Sequence, residues 1–311
     1  MAVYCPHIIR CIIQVLLGEQ SLVNCKDKGE SSLKIWEAIL YGIFGGATTL
    51  LPVSFSGHYA LLRGAFNLSS LTEGGGYYVR FAICLGVIRA IILAFPGESR
   101  TLGVETLKLT GLKKRKRRER INRSRVRSIA LGFFALLPMG LSLIFASMAA
   151  EPGGLLYVAL FFILNGLVLF LCFRSGEGRK NESGVLLSDM VFIGLARVLA
   201  ILPGFSSVGL SLSVGRVRGL SNHYNVRVTY LLTLAFEVVS LFYHLVRAIL
   251  YGSFTFSLLL PLLLAMLFAT VAGYLAIQYF RYLLQRKKWN LFAYYCWDAA
   301  AIVLVLALIN S

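Results

Sequence analysis

The sequence predicts an all-α fold: a polytopic helical membrane protein. Three observations carry this. Of 311 residues, 58% are hydrophobic and only 14% charged, with a mean hydropathy of +0.75, whereas a soluble domain carries about a quarter charged residues. Continuous apolar runs recur from residue 79 to the end, several close to the ~20 residues that cross hydrocarbon. They do not alternate, which excludes a membrane β-barrel. Finally, Pro and Gly cut the apolar pattern at two places, Leu50–His58 (LLPVSFSGH) and Leu202–Gly209 (LPGFSSVG).

Taken in order, Met1 to Leu17 is apolar with Arg10 inside it, and Gly18 to Ser32 is polar. Without a clear basic start or small-residue cleavage site, this stretch reads as an interfacial or extra helix rather than a signal peptide. Residues 1–32 are therefore expected to be an N-terminal extension and 33–310 a single membrane domain. Leu33 to Leu51 is an apolar helix with a small-residue face (Gly42, Gly45, Gly46, Thr48, Thr49) suited to close packing. It runs into the Pro52 break, and the chain leaves through Tyr59–Phe66 to a glycine-rich turn at Gly74–Gly76. Spans are expected at about 78–95, 128–148 and 155–173. A polar loop, Arg174–Gly184, leads to a second apolar approach at 186–202 and the second break. Three further spans follow near 226–250, 256–283 and 290–309.

Both halves thus share an order of approach, Leu-Pro break with Ser and Gly, exit and spans. The expected architecture is two repeats, about 33–150 and 151–310, each with a broken or re-entrant helix. They are inverted if an odd number of crossings separates the breaks. A break at membrane depth frees backbone N–H and C=O groups that hydrocarbon cannot satisfy, so it persists only inside protein or beside a wet cavity. Paired breaks in corresponding places point to a transport or catalytic site near the midplane.

The net charge of +17 is local rather than general. Ten Lys or Arg lie between Lys113 and Arg127, and Arg281 with Arg286–Lys288 forms a smaller group. Basic residues in short loops between spans are the positive-inside signal, which predicts cytoplasmic loops touching anionic headgroups rather than nucleic acid. Six cysteines and four histidines show neither paired nor metal-ligand spacing, so no disulfide framework and no metal site are expected.

Gly45–His58, GGATTLLPVSFSGH, resembles the first signature of the undecaprenyl-diphosphate phosphatase (bacitracin-resistance) family, E-G-x-T-E-F-L-P-V-S-S-T-G-H. Pro203, Gly204, Phe205, Ser206 and Gly209 match the second, P-G-F-S-R-S-G. The resemblance extends over about 33–310 and includes Leu131–Pro138 (LGFFALLP) and Phe292–Tyr295 (FAYY). It implies a multi-pass protein of the bacterial plasma membrane, with a site reached from the outer leaflet, that converts undecaprenyl diphosphate to the monophosphate carrier for cell-wall synthesis. It also implies Mg²⁺ or Ca²⁺ as cofactor. The departures fall on the chemistry: both signature glutamates are Gly45 and Thr49, the second serine is Phe55, and the arginine and the serine after it are Ser207 and Val208.

Diphosphate cleavage needs donors or positive charge on phosphate oxygens and a nucleophile or its activator. Candidate catalytic residues are His58, as nucleophile or general acid/base, with Ser54 and Ser56. Candidate substrate-binding residues are Ser206, Ser207, Gly204, Gly57 and Arg197, the last six residues before Pro203 and able to replace the absent signature arginine. The bland reading makes the serines and His58 groups that re-satisfy the broken backbone. Arg89 and Glu237 would be a buried pair or face a polar cavity, and Arg216 and Arg218 loop contacts. A protein that binds or translocates polyprenyl phosphates without hydrolysis is the alternative.

Overall fold

The computed structural model describes residues 33–66, 75–109, 154–182, 184–252 and 254–309. The expectations for residues 1–32, the basic run 113–127, the span 128–148 and the 131–138 match lie outside the described residues.

The described residues form ten α-helices: α1 (Ile35–Leu50), α2 (Phe55–Phe66), α3 (Gly75–Ala94), α4 (Pro96–Leu109), α5 (Gly154–Arg174), α6 (Leu187–Val198), α7 (Ser207–Val217), α8 (Asn222–Tyr251), α9 (Leu259–Gln285) and α10 (Asn290–Ile309). Five stretches are long and apolar enough to cross a membrane: Gly76–Ala94, Leu155–Arg174, Asn222–Leu250, Phe256–Gln285 and Asn290–Leu308. Each coincides with an expected span. Outward stripes complete the argument: Leu156, Leu160, Ile163, Leu167 and Leu171 lie on one exposed face of α5. Contiguous apolar surface of that size suits lipid rather than water. The chain is a multi-pass helical membrane protein.

Packing follows side-chain size. α9 lies against α1 and α3, and α10 against α5. Gly42 and Gly46 of α1 face the backbone of Ala265 and Ala269 on α9, where a Cβ at Gly42 would stand 2.5 Å from the Ala265 carbonyl oxygen. This is the small-residue seam expected of α1. α1 and α6, at 16 and 12 residues, are too short for a ~30 Å core at 1.5 Å per residue. Each meets a second short helix, α2 or α7, across a break.

α4 is a correction. The chain was expected to leave the span near 95 for the basic loop, but Pro96, at a first-turn position that tolerates a missing N–H, opens a 14-residue polar helix. Polar composition hides such a helix from a search for apolar periods. Its Glu98 meets Arg227 of α8 at 3.3 Å.

At the base of the α6–α7 pair, the fully buried Asp189 carboxylate accepts from Arg218 Nε (2.7 Å), Lys180 Nζ (3.1 Å) and the Leu186 N–H (3.0 Å). Burial by itself would raise its pKa, but the backbone donor and the two cations hold it below the usual carboxylate range. A depressed folded pKa contributes stability that is present above the unfolded value of about 4 and lost as pH falls through the folded value. The melting temperature is therefore expected to drop below about pH 4, and Asp189→Asn to remove this part of the pH dependence. Because Arg218 and Lys180 are a third exposed, the substitution should cost less than the ~3–5 kcal/mol of a fully buried pair.

Candidate functional site

The two breaks meet. α1 ends at Leu50 and α6 ends through a 3-10 turn at Ile201, and Pro52 and Pro203 stop each helix by withholding an N–H. A Cβ on Gly57 would lie 3.2 Å from Gly204 Cα, so the turns approach at backbone distance. Gly204 has φ +120°, a region that side-chain-bearing residues rarely enter.

Several of the freed backbone groups find partners across the interface. The carbonyls at the end of α1 and in the turn after it accept from α8, the N-cap of α7 and α5: Leu50 from Tyr230 Oη (2.8 Å), Leu51 from Ser206 Oγ (3.3 Å) and Pro52 from Asn165 Nδ2 (3.3 Å). Asn165 Oδ1 accepts the Ser206 N–H at 3.0 Å. Ser54 Oγ accepts from the Gly57 N–H (3.0 Å) and, across the interface, from the Gly204 N–H (3.1 Å). Ser206 Oγ accepts from the Gly209 N–H (3.1 Å). The echo is therefore physical: each serine caps its exit helix through a glycine three residues on, and each reaches into the other break.

His58, 4% exposed, is built into the same knot. Its Nδ1 lies 2.6 Å from the Ser54 carbonyl and its Nε2 2.7 Å from Tyr295 Oη. A carbonyl only accepts, so Nδ1 carries the hydrogen and neutral His58 presents its lone pair at Nε2, where the Tyr295 hydroxyl donates. Tyr295 stacks on the ring at 5.5 Å and Phe162 meets it edge-on at 5.2 Å. A 290 Å³ groove leads to this tyrosine. Its walls are Ile43, Phe44 and Leu51 on one side, Tyr279 and Leu283 on α9, and Phe292 and Tyr295 on α10. It is apolar along its length, with His58 behind its tyrosine end.

The knot brings together Ser54, Ser56, Gly57, His58, Gly204 and Ser206; Ser56 Oγ is 3.1 Å from Ser54 Oγ. Ser207 opens α7 half-buried, and its carbonyl accepts from Ser211 Oγ at 2.7 Å. Arg197 is 1% exposed and points along α7 instead of at the turn, with Nη1 3.0 Å from Ser211 Oγ and 3.3 Å from Thr233 Oγ1. Arg216 and Arg218 stand at the base of the α6–α7 pair, on the Ser175 carbonyl and on Asp189. Arg89 is exposed and does not pair with Glu237. The α3 arginine that turns inward is Arg80, whose guanidinium lies 4.0 Å over Phe55 and 5.4 Å over Tyr59. Sequence reasoning missed Arg80 and Asn165. A single Asn inside FFILNGLVLF was the available signal, since polar groups at membrane depth demand partners.

The family described as "Bacitracin resistance protein BacA" matches residues 38–302. The chain belongs to the BacA family. Similar curated proteins are each named undecaprenyl-diphosphatase. One from Methanobrevibacter smithii is 29% identical over 276 residues, covering 87% of this chain and 97% of the relative. One from Carboxydothermus hydrogenoformans is 27% identical, covering 87% and 97%. One from Parasynechococcus marenigrum is 30% identical, covering 85% and 92%.

The donors that the expected Mg²⁺ or Ca²⁺ would need are not gathered among the described residues. The described residues contain no group of three His, Cys, Asp or Glu that could hold a metal ion. A Cβ at Gly45 would lie 2.9 Å from Ile83 Cγ2, so the aliphatic chain of Ile83 fills the space beside that position.

Proposed function

We propose that this BacA-family protein holds a polyprenyl diphosphate in the membrane, with the isoprenoid chain in the apolar groove and the phosphates at the paired breaks. The observation that carries the reading is the groove ending on Tyr295, with the Nε2 lone pair of His58 directly behind its hydroxyl. Backbone N–H groups at the starts of α2 and α7 add donors where phosphate oxygens would lie. α1–α2 and α6–α7 act as two inverted, re-entrant repeats that bring these helix starts to one depth. The membrane is the bacterial plasma membrane, and the product is the monophosphate lipid carrier.

In this reading Tyr295 swings from Nε2 when the headgroup enters. His58 then attacks the terminal phosphorus, or takes the proton of an attacking water, while the bridging P–O bond breaks toward the lipid monophosphate. Nδ1–H stays on the Ser54 carbonyl and keeps the tautomer fixed. A second reading, binding without cleavage, is favoured by Gly45, Thr49 and Ser207, which stand where the resembling signatures have two carboxylates and an arginine.

Purified protein given farnesyl diphosphate, in EDTA and in Mg²⁺, is expected to release phosphate. His58→Ala should lower the rate by about 10²–10⁴-fold. Lipid-phosphate binding without release selects the second reading. Neither binding nor release would overturn both.

A further inference from the structure

One amide side chain interrupts the apolar run FFILNGLVLF of α5. Asn165 is 1% exposed, on a helix long and apolar enough to cross a membrane. Left unpaired, an amide at that depth is costly. Its hydrogen bonds are made in three directions. Nδ2 donates to the Pro52 carbonyl of the first break (3.3 Å) and to Cys296 Sγ on α10 (3.2 Å). Oδ1 accepts the Ser206 N–H of the second break at 3.0 Å. These partners fix which way the amide faces. Turned over, it would set its oxygen against the Pro52 carbonyl and its own N–H groups against the Ser206 N–H.

Phe162 and Leu169, three residues before and four after, share this face of α5. Phe162 meets the His58 ring edge-on at 5.2 Å, and a Cβ on Gly57 would stand 2.5 Å from its ring. The Phe162 nitrogen would be 2.8 Å from a Cβ on Gly204, and Leu169 Cδ2 3.3 Å from a Cβ on Gly209. Both breaks are thus laid along one stripe of one spanning helix. Within that stripe only the amide is directional, donating to one break and accepting from the other. Its third partner, Cys296, is the neighbour of Tyr295, which sits on His58 Nε2.

We infer that Asn165 is a positioning residue for the knot. It touches no substrate. It holds the two breaks and the Tyr295 end of α10 in the arrangement that aims His58 Nε2 and the start of α7 at a common point. The inference rests on the reading of the knot as a headgroup site. A displacement of about 1 Å between reacting groups costs about 10²-fold in rate. The apolar groove, which Asn165 does not line, is left as it is.

The test uses the full chain in neutral detergent, with Asn165→Leu, Asn165→Asp and Trp297→Phe. Trp297 also ties α10 to α5, its Nε1 donating to the Ile163 carbonyl at 3.2 Å. The first readout needs no turnover: carbethoxylation of His58 by diethyl pyrocarbonate, followed by mass spectrometry of the peptide that carries it. Tyr295 covers the reactive lone pair in the wild type. Asn165→Leu should be labelled several-fold faster, the worth of about one neutral hydrogen bond, and Trp297→Phe at the wild-type rate. The second readout is phosphate release from farnesyl diphosphate, per molecule shown folded by its melting curve. Asn165→Leu should lower kcat about 10–100-fold with KM little changed, whereas Trp297→Phe should lower the melting temperature alone. Asn165→Asp tests the direction of the bonds. As the acid it still donates once and accepts once; as the carboxylate it sets oxygen against the Pro52 carbonyl. Relative to wild type, its rate should fall and its labelling should rise as pH goes up, a profile that lost packing does not give. This variant decides the matter if Asn165→Leu fails to fold. Unchanged His58 labelling, labelling raised equally by Trp297→Phe, or wild-type kcat in folded Asn165 variants would overturn the inference. Faster labelling beside a wild type that releases no phosphate keeps the positioning role and removes cleavage.

Discussion

Gly204→Ala is expected to leave little or no folded protein in the membrane fraction. An added Cβ would stand 2.6 Å from Phe161 Cβ, 2.8 Å from the Phe162 nitrogen and 2.8 Å from the Val158 carbonyl oxygen. Two of these are backbone atoms of α5, which cannot rotate away as a side-chain tip can. The φ of +120° adds strain of about 1–3 kcal/mol, and the overlap about 1–3 kcal/mol or more. Set against a typical stability of about 5–15 kcal/mol, that sum is a large share. Gly219 separates the two contributions. It also has positive φ (+83°), but its nearest neighbours are Lys180 side-chain atoms at 3.8 Å and beyond. Gly219→Ala should therefore cost only the left-handed strain, about 1–2 kcal/mol. Expression and melting temperature in detergent check the contrast, and a Gly204→Ala protein as stable as Gly219→Ala would contradict it.

Ser54→Ala should destabilise the fold whatever it does to activity. Its hydroxyl oxygen receives two buried backbone N–H groups, one from each break. Each donor left without a partner costs about 1–3 kcal/mol, which for two donors is a loss of about 2–6 kcal/mol and a markedly lower melting temperature. Ser56→Ala is the control: its recorded bond is the 3.1 Å contact to Ser54 Oγ, and it should shift stability by about 1 kcal/mol or less. An unchanged melting temperature for Ser54→Ala would show that the cap contributes nothing and that any activity loss is chemical.

The parts of this protein legible in the sequence are those set by composition over many residues. The five apolar spans, the small-residue face of α1 and the two breaks follow from hydropathy, from Gly spacing and from Pro. Partner-dependent features were not legible. Ser54 read as a catalytic hydroxyl, and its bond to Gly204, 150 residues away, has no local trace. Arg89 lies deep in a span by sequence, yet helix rotation leaves it exposed. Arg80, near the start of the same helix, turns inward over Phe55. Arg197 pointed at the break by sequence distance, but the axial direction of its side chain takes it to Thr233. Rotation about a helix axis decides each of these, and an apolar span with weak amphipathicity leaves it open.

The reciprocal serine bonds have a consequence for biosynthesis. The first turn is made early, but the N–H of Gly204 and the hydroxyl of Ser206 that complete it lie about half the chain later. At about 5–20 residues per second, that interval lasts on the order of 10 seconds. Until then the Leu51 carbonyl needs a temporary partner, from water or from the insertion machinery. The first half is thus an unfinished membrane protein awaiting its second, and a stall in translation between residues 66 and 203 would expose an open backbone to the bilayer.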